Sequence, residues 1–256
     1  MLLTQVRNAT LKLEYAGNRI LVDPMLADKD AYPGFEGTVN SHLRNPLVAL
    51  PMPVEELLDV DAILVTHLHP DHWDEAARTR VPRDMPILTQ NGEDAEVIRA
   101  QGFTRVVPFT GAGVLGDIAL TRTPGQHGSD AAMAAAGARL GRVSGVVLRH
   151  PDEKSLYIAG DTVWNGYVAD TLATQAPDVV VLNCGDAGIE DLGSIIMNAE
   201  DVREVHRAAP DATLVASHME AVNHCVLTRE QLRAYGREQG MAEHLLVPED
   251  GEPLTL

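Results

Sequence analysis

The stretch Thr66-His67-Leu68-His69-Pro70-Asp71-His72-Trp73 puts three imidazoles and a carboxylate into one short loop. Only ten histidines occur in the 256 residues, so this local density asks for a chemical reason. Neutral imidazole and carboxylate are the ligand types that suit zinc and its neighbours. Just upstream, Asp61-Ala-Ile-Leu-Val-Thr66 is an apolar run rich in branched residues, which reads as a buried strand. Pro70 has no backbone donor and fixes its own φ, so the strand stops and the loop hangs at its C-terminal end. Alternate residues of an extended segment share a face, which sends His67, His69 and Asp71 one way and His72 the other. That layout suits two adjacent metal ions, with His67 and His69 on one and Asp71 and His72 on the other.

The motif His67-x-His69-x-Asp71-His72 resembles the signature of the metallo-β-lactamase-fold hydrolases. The wording around it is most similar to the branch that includes L-ascorbate-6-phosphate lactonase, from about Asn8 to the C-terminus. The resemblance implies an α/β (α+β) fold, a four-layer αββα sandwich with metals at one edge between the sheets. His127, Asp161 and His218 each end a predicted strand beside small residues, and strand ends at one sheet edge can converge. By resemblance His127 is the third imidazole on the first metal, Asp161 the bridging carboxylate and His218 the last ligand of the second. His224, six residues beyond His218, is assigned to substrate binding or proton transfer, with a swap of roles between the two as the alternative. Glu220 and Asn223 are candidate partners for the imidazoles. Asp23 resembles the family's first motif, which supports the metal loop, and Asp23-Pro24 reads equally as a plain turn.

Zinc can lower the pKa of bound water from about 15.7 to about 7. A metal-bound hydroxide would then attack without a Ser or Cys nucleophile, and the Gly-x-Ser-x-Gly elbow is absent from the chain. Asp71 is expected to orient that nucleophile as well as to ligate. The expected cofactors are two divalent ions, zinc first, with manganese or iron acceptable and one site not necessarily filled. The locally positive cavity favours an ester, lactone or phosphate-bearing small molecule. The alternatives are a phosphodiesterase on the same centre and a non-catalytic metal-binding protein. A di-iron oxygen or nitric oxide reductase is disfavoured by His69, where such relatives commonly carry Glu, and by the lack of room for a flavin domain.

A net charge of −17 argues against a nucleic-acid surface, which needs a basic stripe. No N-terminal segment reads as a targeting signal, and no apolar run approaches the roughly eighteen residues of a spanning helix. Cys184 and Cys225 are too few for a disulfide framework and read as small buried hydrophobes. These features suggest a cytoplasmic protein with no membrane or nucleic-acid partner and leave a homo-oligomer open. Without linker, low-complexity run or short repeat, residues 1–256 are expected to form one domain.

Several elements must position these groups. Strands are expected at 2–7, 10–16 and 19–23, the last two joined by a Gly17-Asn18 turn. Residues 25–53, irregular and proline-bearing, are expected to overhang the site. Helices are expected at 74–79, 92–101 (capped by Asn91) and 166–176, then from Asn198 to 208 and after a Thr228-x-x-Gln231 capping box. Further strands are expected at 86–89, 104–108, 117–123, 143–149, 155–160, 178–182 and 212–217, with a last one at 244–247. Residues 128–142, rich in Ala and Gly, suit either a mobile flap or a weakly amphipathic helix.

Overall fold

The computed structural model describes residues 1–256, Ala112 by its backbone alone. The chain opens with a meander of β1 (Leu2–Arg7), β2 (Thr10–Tyr15) and β3 (Asn18–Val22). The turn between the last two falls one residue earlier than expected. Ala16 and Gly17 take φ of 49° and 74°, while Asn18 pairs with Tyr15. Positive φ at both central residues matches the twist of the flanking strands. After the irregular segment come α1 (Val54–Leu57), β4 (Ala62–Val65), α2 (Glu75–Arg80), β5 (Ile87–Thr89), α3 (Gly92–Ala100) and β6 (Val106–Pro108). Asn91 caps α3 by accepting from the Asp94 amide.

The second half runs through β7 (Ala112–Leu115), β8 (Ile118–Pro124), α4 (Asp130–Leu140), β9 (Ser144–Arg149) and β10 (Leu156–Ile158). There follow α5 (Gly166–Gln175), β11 (Val179–Asn183), β12 (Gly188–Ile189), β13 (Gly193–Ser194) and α6 (Ala199–Ala208). The chain ends with β14 (Thr213–Ser217), α7 (Arg229–Glu238), β15 (Leu245–Leu246) and β16 (Glu252–Thr255). Thr228 and Gln231 form the capping box of α7. The undecided 128–142 segment is helical: Ser129 caps α4 by accepting from the Ala132 amide, and Gly141, at φ 66°, ends it.

Among the described residues the strands form two large sheets, ordered β16-β1-β2-β3-β4-β5-β6 and β15-β14-β11-β10-β9-β8-β7. Side-chain period explains the layers. In β4, Ala62 and Leu64 enter the core between the sheets, whereas Ile63 and Val65 pack against Ala77 of α2 and Ile98 of α3. In β11, Val179 and Val181 face the other sheet, while Val180 and Leu182 pack beneath Val168 of α5 and Leu232 of α7. Strands covered on both faces therefore read as unbroken apolar runs. Each such side chain contributes roughly 1.5–3 kcal/mol on burial. The result is the αββα sandwich.

β16, unexpected from sequence, corrects 244–247 as the last strand. It lies on the sheet edge beside β1 with only Leu254 partly buried, so its pattern carries no amphipathic signal. Pro253 is tolerated there because an edge strand need not donate on both sides. Among the described residues no helix is long and apolar enough to cross a membrane.

Candidate metal centre

β3 and β4 run parallel, and so do β10, β11 and β14. β8 is antiparallel to β9 and β9 to β10, so β8 points the same way as β10. The C-terminal ends of β3, β4, β8, β10 and β14 therefore share one edge, and just beyond them lie Asp23, His67, His127, Asp161 and His218. The separation in sequence disappears in the fold. Asp161 Oδ2 lies 3.8 Å from His67 Nε2, 3.2 Å from His72 Nε2, 3.6 Å from His127 Nε2 and 3.8 Å from His218 Nε2. Two groups result, each with donor atoms within 4.8 Å of one another: His67, His69, His127 and Asp161, and Asp71, His72 and His218.

His72 departs from the expected alternation. Pro70 opens a helical turn in which the His72 and Trp73 amides donate to His69 O at 2.9 and 3.0 Å. The turn swings His72 back toward the cluster, with its ring centroid 4.0 Å from that of His67, instead of away from it. Trp73 is buried beneath the loop, edge-on to Phe103 at 5.5 Å.

Partners on the outer ring nitrogens aim the imidazoles inward. His127 Nδ1 donates to Ile195 O at 2.8 Å, which leaves Nε2 of a neutral ring as the inward lone pair. His72 Nδ1 meets Asp23 Oδ2 at 2.9 Å, and His67 Nδ1 meets Thr66 Oγ1 at 3.1 Å. His69 is turned the other way, its Nε2 3.1 Å from Arg139 O and its Nδ1 3.0 Å from His67 Nε2. Asp23 also accepts from the Thr66 amide and hydroxyl, both at 2.7 Å, so it supports the loop as well as turning the chain at φ 44°.

Some supporting groups carried no signal in the sequence. Asn183, at the end of β11, donates to Asp161 Oδ1 at 2.8 Å and leaves Oδ2 for the imidazoles. Asn8 donates to the Asp71 carbonyl at 2.9 Å and accepts from the His218 amide at 2.9 Å, joining the two halves. Glu220 and Asn223, by contrast, do not orient imidazoles among the described residues. Glu220 takes Arg229 at 2.6 Å, and Asn223 is bonded to residues of the overhanging loop. Cys225 is half-buried, and its Sγ stands 3.4 Å from His218 Nδ1, closer to the chemistry than a packing residue.

The donor set fits a divalent cation. His72 Nε2 and His218 Nε2 are buried without a hydrogen-bond partner, although carboxylate oxygens lie 3.2 Å from each. The rings are therefore aimed at the space between the carboxylates, not along hydrogen bonds. An unpaired buried nitrogen costs about 1–3 kcal/mol, which a cation in that space would remove. Imidazoles joined by a carboxylate are a zinc-type donor set.

Charge balance points the same way. Burial holds His67 well below the ordinary imidazole range and pushes His127 down to about 4. Burial would lower His72 and His218 too, but Asp161 and its neighbouring acceptors outweigh it, taking His72 up to about 10 and His218 well above its usual value. Burial likewise favours neutral Asp71 and Asp161, yet the adjacent imidazoles hold both carboxyls well below their usual range. The carboxylates thus draw positive charge toward His72 and His218, a charge that a cation held between them would supply.

A cavity of about 280 Å³ opens above the cluster, with Asp71, His127 and Asp161 at its base. Phe35, Leu140, Ile189 and Ile195 supply apolar wall, and His224 also lines it. The loop 25–53 thus overhangs the site as expected, through Phe35 and Thr38, and α4 closes another side through Arg139 and Leu140. His42 is exposed and stands outside the cavity lining. His224 Nδ1 is buried without a hydrogen-bond partner, and burial pushes the imidazole down to about 4.

The family model described as "Beta-lactamase superfamily domain" matches residues 18–219. Over the whole of both chains the sequence is 45% identical to UPF0173 protein YddR of Bacillus subtilis strain 168. It is 25% identical to a UPF0173 metal-dependent hydrolase of Rubrobacter xylanophilus, over 98% of this chain and 95% of the other. The crystal structure of an isothiocyanate hydrolase from Delia radicum gut bacteria matches with a TM-score of 0.98 at 49% identity, over 100% of this chain and 99% of that one. The chain belongs to the β-lactamase superfamily and is a metal-dependent hydrolase of the metallo-β-lactamase fold.

Proposed function

We propose that this hydrolase holds two divalent cations and adds water to a small uncharged electrophile carrying an apolar tail, an isothiocyanate above all. His67, His69, His127 and Asp161 would hold one cation, and Asp71, His72 and His218 the other, with Asp161 shared. Zinc is the first choice, with manganese or iron acceptable to the same donors. The observation that carries the substrate class is the cavity itself, whose walls above the polar base are Phe35, Leu140, Ile189 and Ile195. The isothiocyanate hydrolase, 49% identical over nearly the whole of both chains, supports the particular electrophile. Arg139 is the one guanidinium in the lining, and its Nη2 is engaged at 2.5 Å by Glu36 O, which weighs against a phosphate group. Esters and lactones offer a comparable electrophilic carbon and are the runner-up.

Bound cations supply Lewis acidity and lower the pKa of water toward about 7. Asp71, kept ionised by His218 and His72, orients the water and can accept its proton. Water adds across the carbon–nitrogen bond of R–N=C=S, the carbon gaining OH and the nitrogen gaining H. Cleavage of that bond, with the remaining hydroxyl proton moved to nitrogen, gives R–NH2 and carbonyl sulfide. His224 is neutral near pH 7, and an imidazole in that state offers one donor and one acceptor nitrogen. Its place in the lining lets it pass the proton to the leaving nitrogen.

The test is a panel of benzyl isothiocyanate, an aryl ester, a lactone and a phosphodiester, offered to metal-replete protein with cation content measured in parallel. Release of amine and carbonyl sulfide, abolished by a chelator, is the expected result. Phosphodiester cleavage with no isothiocyanate turnover would overturn the substrate reading, and no turnover of any member by fully loaded protein would favour a non-catalytic metal-binding role.

A further inference from the structure

The roof of the cavity is held by two asparagines that the chemistry does not use. Asn45 and Asn223 are buried and face each other across the gap between the overhanging loop and the loop that carries His224. The pairing is reciprocal: Asn45 Nδ2 donates to Asn223 Oδ1 at 2.8 Å, and the Asn223 amide donates to Asn45 Oδ1 at 2.7 Å. Asn223 Oδ1 also accepts from the Phe35 amide at 3.0 Å. Its Nδ2 donates to Thr38 Oγ1 at 2.9 Å and to Val39 O at 2.8 Å. A carboxamide offers two donors and two acceptor positions, and Asn223 uses all four.

These bonds end on the backbone of Phe35 and the hydroxyl of Thr38, two residues of the cavity lining. The Phe35 ring stands edge-on to His224, with centroids 5.0 Å apart and planes at 88°. The roof loop is itself compact: Tyr32 and Asn45 exchange backbone bonds of 2.7 and 2.8 Å, and a Cβ on Gly34 would fall 2.4 Å from Leu43 O. Backbone bonds from Val39 to Gly188 O at 3.2 Å and from Leu47 to Ala221 O at 2.7 Å hold the loop at other points, so loss of the clamp releases the stretch around Phe35 rather than the whole loop.

We propose that Asn45 and Asn223 form a reciprocal amide clamp that fixes Phe35 over the cavity and so sets which substrate tails are accepted. They are positioning residues, and the selectivity claim rests on the hydrolase reading above. With the clamp intact the roof is a preformed wall, and a flat aryl tail packs against Phe35 where a methyl group does not reach. A hydrophobic pocket discriminates by area filled, so loss of the wall lowers preference for the larger tail by about 10-fold.

The test uses metal-replete full chain with Asn45→Ala, Asn223→Ala, the double variant and Phe35→Ala. The readout is the ratio of kcat/KM for benzyl over methyl isothiocyanate, with cation content and hydrogen exchange measured alongside. The expected result is the same fall in ratio for each single variant, mainly through KM for the benzyl substrate, with the double variant no worse than either single one. Cation content should hold, and exchange should rise across residues 32–45 while 62–73 stays protected. Phe35→Ala removes the wall and leaves every buried amide paired, so it decides the matter even if an asparagine variant folds poorly. An unchanged ratio in Phe35→Ala, or a proportional fall for both substrates together with lost cation, would overturn the proposal. If wild-type protein turns over no isothiocyanate, that reading falls separately. The clamp is then judged on exchange, with a local rise at 32–45 upholding it and unaltered exchange overturning it.

Discussion

Asp23→Ala should cost the protein both stability and cation affinity, in amounts set by the three donors that converge on this carboxylate. Thr66 N, Thr66 Oγ1 and His72 Nδ1 lie 2.7, 2.7 and 2.9 Å from its oxygens, and the residue is 1% exposed. His67 Nδ1, 3.1 Å from the Thr66 hydroxyl, can accept its proton in only one ring tautomer, so at least two donors are left stranded. Each stranded buried donor costs about 1–3 kcal/mol, and water entering the space recovers part of that, leaving a loss of about 3 kcal/mol. For a chain of this size each kcal/mol is worth about 2–4 °C, so Tm should fall by about 6–12 °C. His72 also loses the partner that aims its ring, and removal of such a partner weakens metal binding by about 10–100-fold. Calorimetry in excess chelator isolates the first effect, because bound cation would otherwise add its own stabilisation. Competition with a coloured chelator measures the second. Asp23→Asn, which keeps an acceptor for the Thr66 amide, should fall between. Wild-type cation affinity in Asp23→Ala would refute the claim that this carboxylate orients the centre.

Asp71→Asn keeps the shape of the loop but removes charge from the second group, and kcat should drop by about 10²–10⁴-fold with near-native circular dichroism; full activity would count against Asp71 as the orienting group. His218→Ala should lose one equivalent of cation by elemental analysis, whereas His224→Ala should keep the full complement and lose turnover, and the opposite pattern would reverse the two roles. Ser155 donates to Asp178 through both its hydroxyl and its amide, at 2.6 and 2.8 Å, which holds that carboxyl below its ordinary range. A depressed folded pKa gives stability that is complete above the unfolded value of about 3.9 and disappears as pH falls through the lower folded value. The Tm deficit of Asp178→Asn should therefore shrink in acid, and a deficit independent of pH between neutral and strongly acid solution would exclude this linkage.

What could be read from the chain follows from how local each signal is. His67, His69, Asp71 and His72 sit in one loop after an apolar strand, so their nearness and their sorting into two groups of donor atoms could be read from the chain. His127, Asp161 and His218 were legible because each follows a strand, and parallel strands bring their ends to one edge. The direction of His72 was not, because it depends on a turn set by backbone bonds to His69 O that residue type does not encode. Asn183 and Asn8 are ordinary loop and strand-end residues until the sheets pair, and only then do they face Asp161 and Asp71. The Asn45–Asn223 contact spans 178 positions, beyond the reach of any local pattern. The same distance explains why Asn223 was expected to serve an imidazole and instead serves the roof.

Backbone strain gathers beside the centre and is held by the contacts around it. His218 and Glu220 both take φ of 58°, a region that costs a residue with a side chain of order 1–3 kcal/mol. A Cβ at Gly185 would fall 2.1 Å from His218 O, so this position must be glycine for the two loops to meet. Three contacts offset the cost. The His218 amide donates to Asn8 O at 2.9 Å, the Arg229 amide donates to Glu220 Oε1 at 3.1 Å, and Arg229 Nη1 donates to Glu220 Oε2 at 2.6 Å. Arg229 is anchored in turn by Pro248 O and Asp250, so a buried cation ties the strained loop to the C-terminal segment. His218 Nε2 is thereby held 3.2 Å from Asp71 Oδ2 and 3.8 Å from Asp161 Oδ2.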